Sequence, residues 1–284
     1  MTKSSWTHLV RFDLDGSPSF GQLCEPAEDG KLEELIKVNV ATGDPVLGTI
    51  KQTGKIITVA REALLMPIAT CPIVSIIGIN YDAHVKESGQ SEPTIPMIFY
   101  KPRRSLAAPF PLIRVHQLGQ EHLDYEGELV FQTGPEPVKN VSEADARNHI
   151  IGYTSGCDFT ARDGKVLKLM NFCFGKSFDG FSPVGPVLVH PSVVGDPLEL
   201  SLETRLNGEV VQRGNTADMI SSCAKLLSVM SSGTTVEPGT VVFTGSPGGS
   251  AHFVGGTGVY ITDGDRVEVE ITKIGKISAQ FKFD

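Results

Sequence analysis

The chain has 284 residues, of which 40% are hydrophobic and 20% charged, with a formal net charge of −8. That length allows a large domain with or without a small partner domain, and the composition is that of a globular protein, not a disordered, collagen-like or disulfide-stapled one. The acidic balance argues against a nucleic-acid partner: the densest basic run, Lys101-Pro-Arg103-Arg104, is too short to form a phosphate-binding face.

Residues 1–68 read as a small N-terminal α/β domain. Leu9-Val-Arg-Phe-Asp alternates like a strand, and Gly16 and Gly21 punctuate a hairpin. Val46-Leu-Gly-Thr-Ile and Lys55-Ile-Ile-Thr-Val read as further strands, and Pro67 and Pro72 mark a linker. A second domain, residues 71–284, follows. Strands are expected over residues 73–79, 124–131, 149–158, 184–189, 200–206, 240–244 and 266–271. One helix is expected to open at Asn80 as N-cap, with Asp82 in its first turn, and another over residues 216–230. Strands outnumber helices and the connections are too short for repeated βαβ units, so the fold class is β-rich α+β.

The five cysteines (Cys24, Cys71, Cys157, Cys173 and Cys223) include no C-x-x-C pair, which leaves free buried thiols in a reducing compartment. The N-terminus reaches Arg11 and Asp13 without the apolar run of a secretory signal. The longest apolar stretch is far short of the ~18 residues of a membrane span. A cytoplasmic protein with no membrane partner is expected, a mitochondrial location being left open.

Asp124-Tyr-Glu126-Gly-Glu128 places two carboxylates on one face of an expected strand, where they repel unless a cation or protons compensate. An acidic edge strand is the plainer alternative. Asp158, ending another strand, would complete three hard oxygen ligands suited to Mg²⁺, Mn²⁺ or Ca²⁺. His84 and Glu87, three residues apart, share a helix face, and a carboxylate beside an imidazole makes a base able to activate water. An ordinary surface pair has the same spacing. Lys176 lies in the apolar run Phe172-Cys-Phe-Gly-Lys176, where it could balance carboxylates, polarise a carbonyl or snorkel to solvent. Val241-Val-Phe-Thr244-Gly-Ser-Pro-Gly-Gly feeds a glycine-rich turn that could hold an anion, or be a tight turn alone; it lacks the ending of a nucleotide-binding P-loop.

Together these segments resemble the fumarylacetoacetate hydrolase family. The match runs through Gly78-x-Asn-Tyr-x-x-His84-x-x-Glu87, Lys101-Pro, Asp124-Tyr-Glu126-x-Glu128-Leu and Asp158-x-Thr-Ala-Arg162-Asp163. It continues through Gly175-Lys176-Ser-Phe-Asp179, Glu237-Pro-Gly, Thr244-Gly-x-Pro247 and Asp263-Gly-Asp265. The resemblance implies a mixed β-sandwich roll, a homodimer, and a divalent cation, Mg²⁺ foremost, on Glu126, Glu128 and Asp158. It implies a water-activating dyad of His84 and Glu87, an enolate-stabilising Lys176, and substrate contacts at Arg162, Thr244 and Lys101. The implied substrate is a small 2-oxo or 1,3-dicarbonyl acid. Lys165 and Gly180 depart from the glutamine and threonine of the family pattern. Both positions resemble substrate-facing ones, so a more anionic or larger substrate is expected. Hydrolysis of a C–C bond in an acylpyruvate-like acid is the first expectation. Decarboxylation, hydration or keto–enol isomerisation of a related acid comes second, and a non-catalytic metal-stabilised binding protein third.

Overall fold

Period-two alternation of apolar residues dominates the chain, and in the computed structural model strands make up most of the regular structure. The structure describes residues 5–26, 29–164, 171–255 and 257–284. The first strands are β1 (His8–Leu14), β2 (Ser17–Leu23), β3 (Leu35–Thr42), β4 (Lys51–Ala60) and β5 (Leu64–Leu65). After them come β6 (Val74–Gly78), the helix Asp82–Ser88, β7 (Met97–Lys101), β8 (Leu106–Ala107) and β9 (Leu112–Val115). The middle of the chain forms β10 (Leu123–Asp124), β11 (Gly127–Thr133), β12 (Ile150–Cys157), β13 (Thr160–Ala161) and β14 (Ser182–Val189). The last part holds β15 (Ser201–Leu206), β16 (Glu209–Asn215), the helix Cys223–Met230, β17 (Val241–Phe243), β18 (Arg266–Ile271) and β19 (Gly275–Phe283).

The larger sheet has the order β4-β3-β2-β1-β14-β12-β11-β17-β6-β7, with β5 on β1 and β8 on β14. Its first four strands join the rest through β1, where His8 lies opposite Val189 and Leu9 opposite Leu188. The second sheet runs β16-β15-β18-β19-β9, and β10 and β13 form a separate two-stranded ribbon. The pleat of β11 sends Leu129 and Phe131 into one apolar core and Val130 into another on the opposite face. Burying such side chains contributes about 1.5–3 kcal/mol each, so the central strands anchor both layers. The two sheets approach closely at Gly127, where a Cβ would lie 2.1 Å from Thr204 Oγ1 and 3.2 Å from the methyls of Val269.

Several local expectations change. Residues 5–65 hold strands and one 3-10 turn, with no α-helix among the described residues, because their apolar pattern alternates without helical spacing. Val46-Leu-Gly-Thr-Ile is a turn, closed by Gly48 N–H to Pro45 O at 3.1 Å and Thr49 N–H to Asp44 O at 3.1 Å. The segment between Pro67 and Pro72 is anchored: Ile68 is fully buried, and Gln132 Nε2 donates to Thr70 O at 2.7 Å. The helix expected over residues 216–230 begins only at Cys223, where Ser222 Oγ caps it by accepting from Lys225 N–H at 3.1 Å. Asn80 is not the cap of the first helix, which is Tyr81. The Asn80 amide instead ties Ser221 and Thr244 together across three hydrogen bonds of 2.7–3.0 Å. All five cysteines are free; Cys71, Cys157 and Cys223 are buried, whereas Cys24 and Cys173 are exposed.

Gly127→Ala should overpack the contact between the sheets and lower stability by about 1–3 kcal/mol in a denaturant titration. Adding Thr204→Ala should recover part of that loss.

Candidate active site

The ribbon β10–β13 and the pair β11–β12 are one antiparallel hairpin interrupted at the same level on both strands. Asp124 pairs with Thr160 and Gly127 with Cys157, while Tyr125-Glu126 faces Asp158-Phe159 in between. Asp158 N–H still donates to Glu126 O at 2.8 Å, so the break bends the hairpin without separating it. Glu126 therefore does not lie on the strand that carries Glu128, and the two carboxylates are aimed differently. Glu126 turns to Arg162 and Lys176, while Glu128 Oε2 accepts from Gly245 N–H at 2.5 Å.

Lys176 Nζ bridges the interruption. It donates to Glu126 Oε2 at 2.6 Å and to Thr160 Oγ1 at 2.9 Å, and it bonds Asp158 Oδ2. Arg162 donates through Nε to Asp124 at 3.1 Å and through a terminal nitrogen to Glu126 at 2.7 Å. Behind these groups Lys101 Nζ meets Asp158 Oδ1 at 2.6 Å and Phe181 O at 2.8 Å, with neither side chain of that ion pair exposed. Three buried cations thus face the four carboxylates Asp124, Glu126, Glu128 and Asp158.

The charges divide unevenly. Burial alone would raise the Glu126 carboxyl, but the positive charges of Lys176 and Arg162 outweigh it and hold Glu126 well below the usual carboxylate range. Burial pushes Glu128 far above that range, and the negative charges of Asp158 and Glu126 push it further. Burial opposes the charge on Lys176, yet Asp158 and Glu126 raise it above an ordinary lysine. Lys101 goes the other way: its desolvation exceeds the attraction of Asp158.

Beside the cluster lies a cavity of about 260 Å³, and Glu126, Glu128, Arg162, Lys176 and His84 line its polar side. His84 Nδ1 is 2.9 Å from Glu87 Oε1, and Glu87 Oε2 accepts from Gly249 N–H at 2.8 Å. The His84 ring packs edge-on against Phe253, which also lies 5.2 Å below the Arg162 guanidinium. Ile79, with φ 49°, enters this wall from the strained left-handed region, held there by the Asn80 hydrogen bonds. A larger cleft of about 430 Å³ lies between Arg61 and Lys276, and none of the carboxylate cluster lines it.

Glu126, Glu128 and Asp158 are hard oxygen donors of the kind a divalent cation selects, and two of them, Glu126 and Glu128, line the cavity. In chemistry the donor set fits such an ion. As arranged, however, no three acidic, histidine or cysteine side chains form a metal cage among the described residues, and Lys176 bridges two of the acids.

Residues 74–282 match the profile of the fumarylacetoacetate hydrolase C-terminal domain. The chain belongs to the fumarylacetoacetate hydrolase family, and it is an enzyme of that family. It is 34% identical over 255 residues to a mitochondrial oxaloacetate tautomerase of Xenopus laevis, covering 89% of this chain and 79% of that one. It is 38% identical over 210 residues to an oxaloacetate tautomerase of Bacillus subtilis, covering 72% and 67%. Its fold matches the crystal structure of a 5-carboxymethyl-2-hydroxymuconate delta-isomerase from Mycobacterium smegmatis with a TM-score of 0.80, at 29% identity over 98% of this chain and all of the other.

Within this fumarylacetoacetate hydrolase family fold, the sequence candidates fall into groups. His84, Glu126, Glu128, Arg162 and Lys176 line the cavity, with Glu87 bonded to His84 and Asp158 to Lys176. Lys101 does not line the cavity; it is the counter-ion of Asp158. Nor does Thr244, whose hydroxyl donates to Leu129 O at 2.9 Å; the next residues of that turn, Gly245 and Ser246, face the site instead. Gly180 lies outside the cavity at φ 77°, near Ala107 and Ile113, a conformation that explains glycine and would strain threonine. Lys165 falls outside the described residues. Sequence reading missed Asp124, whose carboxylate accepts from Arg162, Ser250 and Ala251 at 2.8–3.1 Å, and also Phe253. Asp124 stands in the motif that flagged Glu126, whereas no local pattern marks Phe253.

Lys101→Met should cost about 3–5 kcal/mol in a denaturant titration, because it leaves the Asp158 charge buried without that partner. A near-normal stability with a changed KM would instead place Lys101 against substrate.

Proposed function

We propose that this enzyme moves a proton between carbon and oxygen in a small 2-oxo acid, interconverting keto and enol forms. The observation that carries this reading is that His84, hydrogen-bonded to Glu87, lines the same cavity as Lys176, Arg162, Glu126 and Glu128. Glu87 occupies Nδ1 of His84, leaving Nε2 as the atom able to take a proton from the carbon beside a substrate carbonyl. Negative charge then develops on the carbonyl oxygen, where the Lys176 ammonium offsets it. The proton returns to that oxygen to give the enol, and the reverse sequence gives the ketone. Keto–enol transfer needs one base and one cationic corner and consumes no water. The relatives named oxaloacetate tautomerases and the isomerase of like fold support it.

A divalent cation, Mg²⁺ first and Mn²⁺ or Ca²⁺ as alternatives, would be held by Glu126, Glu128 and Asp158. When bound, it supplies Lewis-acid polarisation of the substrate oxygens. Hydrolysis of an acylpyruvate-like acid is the second reading. The same dyad can take a proton from water, and about 260 Å³ leaves room for a water beside a small acid.

The test follows decay of the enol absorbance of 2-oxo acids with Mg²⁺ present, with products weighed by mass spectrometry. Wild type should accelerate the decay with no change in mass. His84→Ala should lower kcat/KM by roughly 10²- to 10⁴-fold, the usual contribution of a positioned base, with its stability nearly retained. Cleavage into two acids with uptake of water would favour hydrolysis. Unimpaired catalysis by His84→Ala would overturn both readings.

A further inference from the structure

We propose that Asn80 is a positioning residue of the site: through the one peptide group between Thr244 and Gly245, it aims the N–H that holds Glu128 at the cavity. Asn80 itself is outside the cavity lining and acts through that peptide. The inference rests on the preceding reading of Glu128 as a cation ligand only for its effect on Mg²⁺ affinity.

Asn80 is 2% exposed and uses both halves of its side-chain amide. Its Oδ1 accepts from Ser221 N–H at 2.8 Å, and its Nδ2 donates to Ser221 O at 3.0 Å and to Thr244 O at 2.7 Å. The Thr244 carbonyl and the Gly245 N–H belong to the same peptide group, and that N–H donates to Glu128 Oε2 at 2.5 Å. A trans peptide is planar with its carbonyl and N–H pointing in opposite directions, so a bond that fixes one fixes the other. A carbonyl that accepts a hydrogen bond also polarises its amide, which makes the N–H a better donor. Asn80, the peptide and Glu128 thus form a single hydrogen-bonded chain.

The peptide needs this restraint. Gly245 has φ 92°, in the region that glycine enters freely, so rotation of the peptide before it meets little steric resistance. The Thr244 N–H and hydroxyl are tied to Leu129 O at 3.1 and 2.9 Å, but both lie across the Thr244 Cα from that peptide. A flipped peptide would turn the Thr244 carbonyl oxygen toward the Glu128 carboxylate, where the two repel. The turn also packs closely on Asn80, since a Cβ on Gly245 would stand 2.8 Å from the Asn80 Cβ. Farther along, Gln212 Nε2 donates to Pro247 O at 3.0 Å, and Glu87, the partner of His84, accepts from Gly249 N–H at 2.8 Å. Those contacts fix the turn from Pro247 onward, and Asn80 fixes the peptide at its start.

Labelling the full chain with ¹³C-carbonyl threonine and ¹⁵N-glycine selects the Thr244–Gly245 peptide and four other Thr-Gly peptides of the sequence for NMR. In chelator, the wild-type Gly245 amide proton should resonate downfield and exchange slowly with solvent. Asn80→Ala should move it upfield and speed its exchange at least about tenfold, with calorimetry showing Mg²⁺ affinity lowered by a like factor. Val38→Ala, which opens a cavity in the core among the N-terminal strands, controls for lost stability and should leave both readings unchanged. A Gly245 amide unmoved by Asn80→Ala, or a Mg²⁺ affinity that falls equally in Val38→Ala, would overturn the proposal. If Asn80→Ala does not fold, Asn80→Ser, which also lacks the amide donor, makes the same test. Absence of Mg²⁺ binding by wild type, with the Gly245 amide still released by Asn80→Ala, would sink the cation reading and leave this assignment standing.

Discussion

Four carboxylates and three cations buried around one bend in a hairpin form the constraint on which the rest of the molecule depends. Asp158 is held from two sides by Lys101 and Lys176, Glu126 by Lys176 and Arg162, and Asp124 by Arg162 and a turn of backbone N–H groups. Charges at this depth are tolerated only when paired and hydrogen-bonded, and removing one partner exposes the desolvation cost of the other. Glu128 is the exception, holding one backbone hydrogen bond while burial, and then the charges of Asp158 and Glu126, push its carboxyl upward. Among the described residues, Glu128 is the one acid of the four that no ion pair reaches.

The fold brings this cluster together by changing partners. Where β11 and β12 give way to β10 and β13, the hairpin loses its regular ladder for two residues on each strand, and Glu126 and Asp158 occupy that gap. Residues of the strands on either side of the bend belong to the apolar cores. The glycine-rich turn after β17 closes the other side. Its N–H groups at Gly245, Gly249 and Ala251 hold Glu128, Glu87 and Asp124, so a turn whose sequence suggested an anion site binds the protein's own acids.

What the sequence showed and what it hid separate along physical lines. β18 spans Arg266–Ile271 as its alternation indicates, and His84 meets Glu87 because three residues on a helix place them together. The break at Tyr125-Glu126 leaves no mark in the local pattern, which continues to alternate; it is set by which strands pair across the fold. Lys101 and Thr244 resemble site residues by motif, yet one backs Asp158 and the other turns to Leu129, since a motif fixes chain position and not side-chain direction. Asn80 looks like a helix cap until Ser221 and Thr244, far away in sequence, claim its amide. Phe253 belongs to the site only because the Asp124 contacts fold residues 250–252 over His84 and Arg162.

Glu128, which lines the cavity outside the ion pairs, ties fold, cation and chemistry together, and calorimetric titration of the full chain with Mg²⁺, beside the same titration of Glu128→Gln, tests it most directly. The expected result is one saturable divalent ion per wild-type chain and binding weakened severely in the variant. No binding to wild type, or equal binding to both proteins, would contradict the account.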